Sequence, residues 1–185
     1  MSRLRLGLIG CGWIAAAHVR AAAELADRCS LLWAADPDVA RAEGVAAQAG
    51  SGCRALADYR EGLAEVDAVI IATPHHLHAP VVLEAARARR HMLLEKPLAT
   101  TLEDADHMLA AVDEAGVTLM VGYTRHYQPE FRRLRALCAV VPRRASLWLR
   151  RGDARVVREA AARLIGLPAA ECARAWGPGF GAAAR

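Results

Sequence analysis

The sequence holds 185 residues, 55% hydrophobic and 24% charged, with a formal net charge of +4 at pH 7. That balance gives a globular chain able to bury a core and excludes a disordered or collagen-like polymer. No apolar run reaches the roughly 18 residues of a membrane-spanning helix, which excludes a helical membrane span.

Five cysteines lie scattered without CxxC spacing, and their odd number fits reduced thiols in a cytoplasmic protein. Arg3 and Arg5 before Leu6 to Ala17 imitate a secretory leader, and Leu8-Ile9-Gly10-Cys11 imitates a lipoprotein box. The stretch from Arg5 to Cys11 is too short for the apolar core that either signal needs. Charge is unevenly divided: residues 1–131 carry 12 Arg and Lys against 17 Asp and Glu, residues 132–185 carry 12 against 3.

In chain order, Leu4 to Ile9 reads as a buried parallel strand leading into Gly10-Cys11-Gly12-Trp13-Ile14-Ala15 and an alanine-rich helix to about Asp27. This is GxGxxA between a strand and a helix. Gly10 permits a tight turn, Gly12 lets backbone approach a pyrophosphate, and Ala15 allows close helix-to-strand packing. The helix amino end then offers free N–H groups to phosphates. Ser30 to Ala35 is a second strand ending at Asp36, where an acid accepts hydrogen bonds from the ribose hydroxyls and opposes a 2′-phosphate, favouring NAD over NADP. Asp36-Pro37 also begins a helix running to about Ala49, so Asp36 or Asp38 can equally serve as its cap.

A weak strand near Arg54 and a short helix from Asp58 to Ala64 precede the apolar strand Val66 to Thr73. The following Pro74-His75-His76-Leu77-His78 holds three histidines in four residues, but no acidic or thiol ligand has the spacing of a metal site, and none is assigned. Thr73 and Pro74 fit the wall of a ligand crevice at the carboxyl end of a strand. A helix from Ala79 to Arg89 should bury Val82, Ala85 and Ala86, and His91 to Leu94 is the next strand. It delivers Glu95-Lys96-Pro97 to the same edge. Lys96 is the sole lysine of the chain, and an ammonium on a flexible stem can share a proton with a substrate oxygen where a guanidinium cannot. A helix from Thr101 to Ala115-Gly116, a strand from Val117 to Val121 and a helix from about Pro129 to Cys138 complete an alternation that specifies a doubly wound α/β parallel sheet.

Taken together, Gly7 to Ala15, Ala72-Thr73-Pro74 with His78, Leu94-Glu95-Lys96-Pro97-Leu98-Ala99 and Val121-Gly122-Tyr123-Thr124-Arg125 resemble the Gfo/Idh/MocA family of NAD(P)-dependent oxidoreductases. The resemblance covers about residues 3–138. It implies cofactor contacts from Gly10, Gly12, Trp13, Ile14, Asp36, Thr73, Pro74, His78 and Glu95, with Lys96 as the catalytic residue reaching nicotinamide ribose and substrate, and a cis Lys96-Pro97 bond. The implied reaction is oxidation of a secondary alcohol of a sugar or cyclitol. His75 stands where the family has asparagine, and Trp13 is bulkier than the family's usual residue.

The expected organisation is an NAD(P)-binding Rossmann domain over 1–138 and an Arg-, Ala- and Gly-rich tail over 139–185. The tail lacks the family's second, antiparallel-sheet domain with its Asp and His. One tail helix is plausible, with Asp153 as cap and Val156, Val157, Ala160, Ala161, Leu164 and Ile165 as its apolar stripe. Such a segment cannot build its own core, so a chain cut short by a reading-frame change near residue 139 is expected. A weakly active or inactive dehydrogenase follows, self-associating through the face left exposed. A non-catalytic NAD-binding or regulatory module is the alternative. The tail arginines Arg143, Arg144, Arg150 and Arg151 raise nucleic acid as a partner, but sparse aromatics favour a solvated charged segment.

Overall fold

The computed structural model describes residues 3–50 and 52–129. Six parallel strands form one sheet: β1 (Leu4–Ile9), β2 (Cys29–Ala35), β3 (Arg54–Leu56), β4 (Ala68–Ile71), β5 (His91–Leu94) and β6 (Leu119–Val121). Their order is β3-β2-β1-β4-β5-β6, so the chain winds outward from β1 in one direction, then crosses back to β4 and winds in the other. The reversal between β1 and β4 leaves a crevice at their carboxyl ends, where open α/β sheets take their ligands. Among the described residues the helices are α1 (Ala15–Glu24), α2 (Val39–Ala49), α3 (His78–Arg87) and α4 (Leu102–Ala115).

Side-chain alternation along the strands separates two cores. Leu8, Ala34 and Ile70 face one side, where they pack with Ala15 and Val19 of α1 and Ala42 and Val45 of α2. Ile9, Ala35, Ile71 and Leu94 face the other, against Val82, Ala85 and Ala86 of α3 and Met108 and Val112 of α4. Val82, Ala85 and Ala86 face inward as their spacing requires. Covering both faces is what makes these strands near-continuous apolar runs rather than alternating ones. Thr101 accepts the Asp104 N–H and caps α4, and Gly116 ends it in the left-handed conformation at φ 65°.

Several boundaries differ from the sequence expectation, each for a local reason. The stretch 58–64 is not one helix but two single-turn 3-10 segments, Tyr59–Glu61 and Leu63–Glu65. Between them the buried Trp33 indole lies against Gly62 and donates its Nε1–H to the Gly62 carbonyl at 3.0 Å. β4 starts at Ala68 because Asp67 turns its carboxylate to Arg5, accepting the Arg5 backbone N–H at 2.8 Å. β6 starts at Leu119 because the Thr118 N–H donates to His91 Nδ1 at 3.1 Å. α1 ends at Glu24 and passes through a tight turn, with the Arg28 and Cys29 N–H groups both donating to Leu25, before β2.

Residues up to Tyr123 form one compact unit and Thr124 onward a second, whose described part contains one 3-10 turn, Thr124–Tyr127. The body of the helix expected from Pro129, and the tail helix, lie outside the described residues. No helix among the described residues is long and apolar enough to cross a membrane.

Candidate active site

The carboxyl ends of β1, β2, β4 and β5 bring the expected residues to one edge of the sheet. After β1, Gly10 adopts φ 95°, and a β-carbon there would fall 2.7 Å from the Ala72 carbonyl carbon and oxygen. Gly10 is therefore required both by its backbone conformation and by its approach to the end of β4. Gly12 serves differently: a β-carbon on it would meet nothing within 4 Å, so the space above it is open. α1 begins there with no side-chain cap and no acidic residue in its first turn. An uncapped helix amino end beside an open glycine fits a phosphate. Trp13 is 92% exposed and Ile14 is the N-cap residue of α1. Ala15, wholly buried, lets α1 sit close to the sheet.

Asp36 follows β2 and spends both carboxylate oxygens on backbone. Oδ2 accepts the Cys11 N–H at 2.9 Å, and Oδ1 accepts the Asp38 N–H at 2.9 Å. It is thus the acceptor of a local turn and also a tie to the glycine loop, while retaining lone pairs for a further donor. Asp38 occupies the N-cap position of α2 without making a side-chain cap bond. The Cys11 thiol is pushed up to about 12, chiefly by burial, then by the charge of Asp36 and by Cys53.

After β4, Pro74 precedes a 3-10 turn, His75–Leu77. Thr73 Oγ1 is buried and finds no hydrogen-bond partner among the described residues, an orphaned hydroxyl at the crevice. His78 is fully buried at the start of α3; its Nδ1 lies 2.9 Å from the Pro97 carbonyl and its Nε2 3.2 Å from that of Thr73. The imidazole therefore packs between the Thr73 and Pro97 carbonyls, and its neutral form can donate to one of the two. His75 and His76 are exposed, and no three metal-ligating side chains converge among the described residues.

After β5, Glu95 is anchored by its N–H to the Ile71 carbonyl, and the Lys96-Pro97 bond is cis. Lys96 is exposed and its ammonium has no hydrogen bond or ion pair among the described residues. Tyr123, from beyond β6, accepts the Leu98 N–H with its hydroxyl at 3.4 Å. Two neighbours of this turn escaped the sequence reading: Tyr123 as a support for Leu98, and His18 of α1, whose Nε2 lies 3.0 Å from Glu95 Oε1. His18 follows the sheet-facing Ala15 by three residues, a spacing that places both on one helix face and was available as a signal.

The model of the oxidoreductase family with an NAD-binding Rossmann fold, Gfo/Idh/MocA, matches residues 4–123. A D-xylose 1-dehydrogenase [NADP(+)] of Haloarcula marismortui is 34% identical over 138 residues, covering 72% of this chain and 38% of that protein. An inositol 2-dehydrogenase of Rhizobium meliloti is 36% identical over 132 residues, covering 71% of this chain and 39% of that protein. Among solved structures, the WlbA dehydrogenase of Bordetella pertussis, in complex with NADH and UDP-GlcNAcA, superposes with a TM-score of 0.60 at 39% identity over 65% of this chain and 37% of that one. The chain thus spans about two-fifths of the length of these curated relatives. Glycine loop, orphaned hydroxyl and lysine turn lie on one sheet edge, and with the family model matching residues 4–123 the chain belongs to the Gfo/Idh/MocA oxidoreductases.

Proposed function

We propose that residues 4–123 form the NAD(H)-binding part of a dehydrogenase acting on a secondary alcohol of a sugar or cyclitol, with Lys96 as its catalytic residue. The observation carrying this reading is that the unpartnered Lys96 ammonium and the uncapped amino end of α1 are set at one carboxyl edge. The α1 amino end and Gly12 hold the pyrophosphate, Asp36 the adenosine ribose, and Thr73, Pro74, Trp13 and Ile14 the walls. Asp36 favours a ribose diol over a 2′-phosphate, hence NAD over NADP. His78 keeps the Thr73 and Pro97 loops in register, and Glu95 sets the base of the lysine turn. The nicotinamide, when bound, supplies the hydride acceptor. Lys96 hydrogen-bonds the substrate oxygen, and the hydroxyl proton released as the alcohol is oxidised passes to the Lys96 amine, leaving it as the ammonium. The relatives named D-xylose and inositol dehydrogenase support a polyol as substrate class.

The sole lysine permits a direct test. Reductive methylation followed by peptide mapping reports on Lys96 without interference from any other lysine side chain. NADH should protect Lys96, whereas ADP, which lacks the nicotinamide end, should bind without protecting it. Equal protection by both would place the nicotinamide elsewhere. Turnover against a panel of sugars and inositols, with Lys96→Ala as control, separates a dehydrogenase from a non-catalytic NAD-binding module.

A further inference from the structure

The geometry points to His18 as a positioning residue that ties the phosphate end of the site to the lysine turn, an assignment resting on the cofactor-site reading above. His18 lies in the first turns of α1, its N–H donating to Ile14, so its backbone moves with the helix end that faces the phosphates. Its side chain is 15% exposed and that of Glu95 17%, so their 3.0 Å contact is largely shielded from water. Shielding makes a hydrogen bond to a carboxylate stronger and its loss costlier.

Glu95 is gripped on several sides. Its backbone N–H donates to Ile71, and the neighbouring Leu94 carbonyl accepts from Gly122 at 2.7 Å. Oε2 accepts the Lys96 backbone N–H at 3.3 Å, while Oε1 takes His18. A β-carbon on Gly122 would stand 3.7 Å from Oε1, so Gly122 borders the carboxylate without a side chain of its own to hold it. One carboxylate thus links α1 to the backbone of Lys96, and His18 is its only side-chain partner among the described residues. Removing His18 frees Glu95 to rotate and loosens the turn that aims Lys96. The Gly12 end of α1 stays intact, since α1 packs through Ala15 and Val19.

The test compares His18→Leu, which removes the ring nitrogens, with His18→Gln, whose amide can reach Glu95 again. NADH and ADP binding are titrated for both variants and for wild type, with thermal unfolding alongside. His18→Leu should bind NADH about tenfold more weakly, as expected for one charge-assisted hydrogen bond at the nicotinamide end, and ADP unchanged. His18→Gln should restore most of the NADH affinity. A merely structural contact would lower NADH and ADP affinity together, and that result overturns the assignment. Unchanged NADH affinity in His18→Leu overturns it as well, as does failure of His18→Gln to restore binding while its melting temperature matches wild type. Wild type binding neither ligand would instead sink the cofactor-site reading, and this inference with it.

Discussion

The indole of Trp33 fills the space that a β-carbon on Gly7 would occupy. Trp33 is wholly buried in β2 beside β1, and its ring also lies against Gly62, so two glycines from distant parts of the chain make room for one side chain. Gly7→Ala should destabilise the fold by about 2–3 kcal/mol through overpacking, read as a lower urea midpoint. Trp33→Leu should be destabilising too, and the pair combined less than additive, because the smaller side chain relieves the clash. Strict additivity would show that Gly7 is needed for another reason.

At Asp36, charge and geometry can be separated. Asp36→Asn keeps an acceptor for the local turn but removes the carboxylate charge, so the preference for NADH over NADPH should shrink by about tenfold in fluorescence titrations. Asp36→Ala should also weaken ADP, since the Cys11 N–H loses its partner and the glycine loop is freed. An unaltered coenzyme preference in Asp36→Asn would assign selectivity to another residue.

The Arg5–Asp67 pair predicts an acid-dependent stability term. Arg5 holds the Asp67 carboxyl down to about 2, first through its side-chain hydrogen bond and then its backbone one. A depressed folded pKa means that stabilisation is fully present above the ordinary value of 3.8 and is lost as pH falls toward 2. Asp67→Asn should therefore unfold at lower urea than wild type at pH 7, with the gap closing between pH 4 and pH 2. A gap that persists at pH 2 would contradict it.

Cys11 should be chemically quiet despite its place in the glycine loop. With the thiol at about 12, iodoacetamide at pH 8 should leave it unmodified in the folded protein and label it fully in urea, as mass spectrometry of the Cys11 peptide would show. Rapid labelling of folded protein would mean that the loop opens readily.

The fold was legible where residue pattern and burial coincide. β1 and α2 end where their apolar runs end, and β5 ends at Leu94 just before the lysine turn. The Gly10 turn and the cis Lys96-Pro97 bond also stand as read. What escaped depends on side chains from remote positions. Nothing near residue 62 announces the Trp33 indole that divides the stretch into two turns, since the two are brought together only by the sheet. Of the local roles weighed for Asp36, the helix cap is replaced by a turn acceptor that also receives the Cys11 N–H, while Asp38 takes the N-cap position of α2. The three-residue spacing from Ala15 put His18 on the sheet side of α1, but its partner is Glu95, which lies far off in the sequence and is placed beside it only by the fold.

The Arg5–Asp67 bridge stands where β1 and β4 begin, while Gly10 and Thr73 lie where the same strands end, about 20 Å away for a six-residue strand. This ion pair and the proposed ligand site are thereby housed at opposite rims of one sheet. An engineer can reinforce the starting rim with new ion pairs while leaving coenzyme recognition untouched. The loops of the finishing rim can be rewritten for another ligand so long as Gly10, Trp33 and the two glycines around Trp33 are kept.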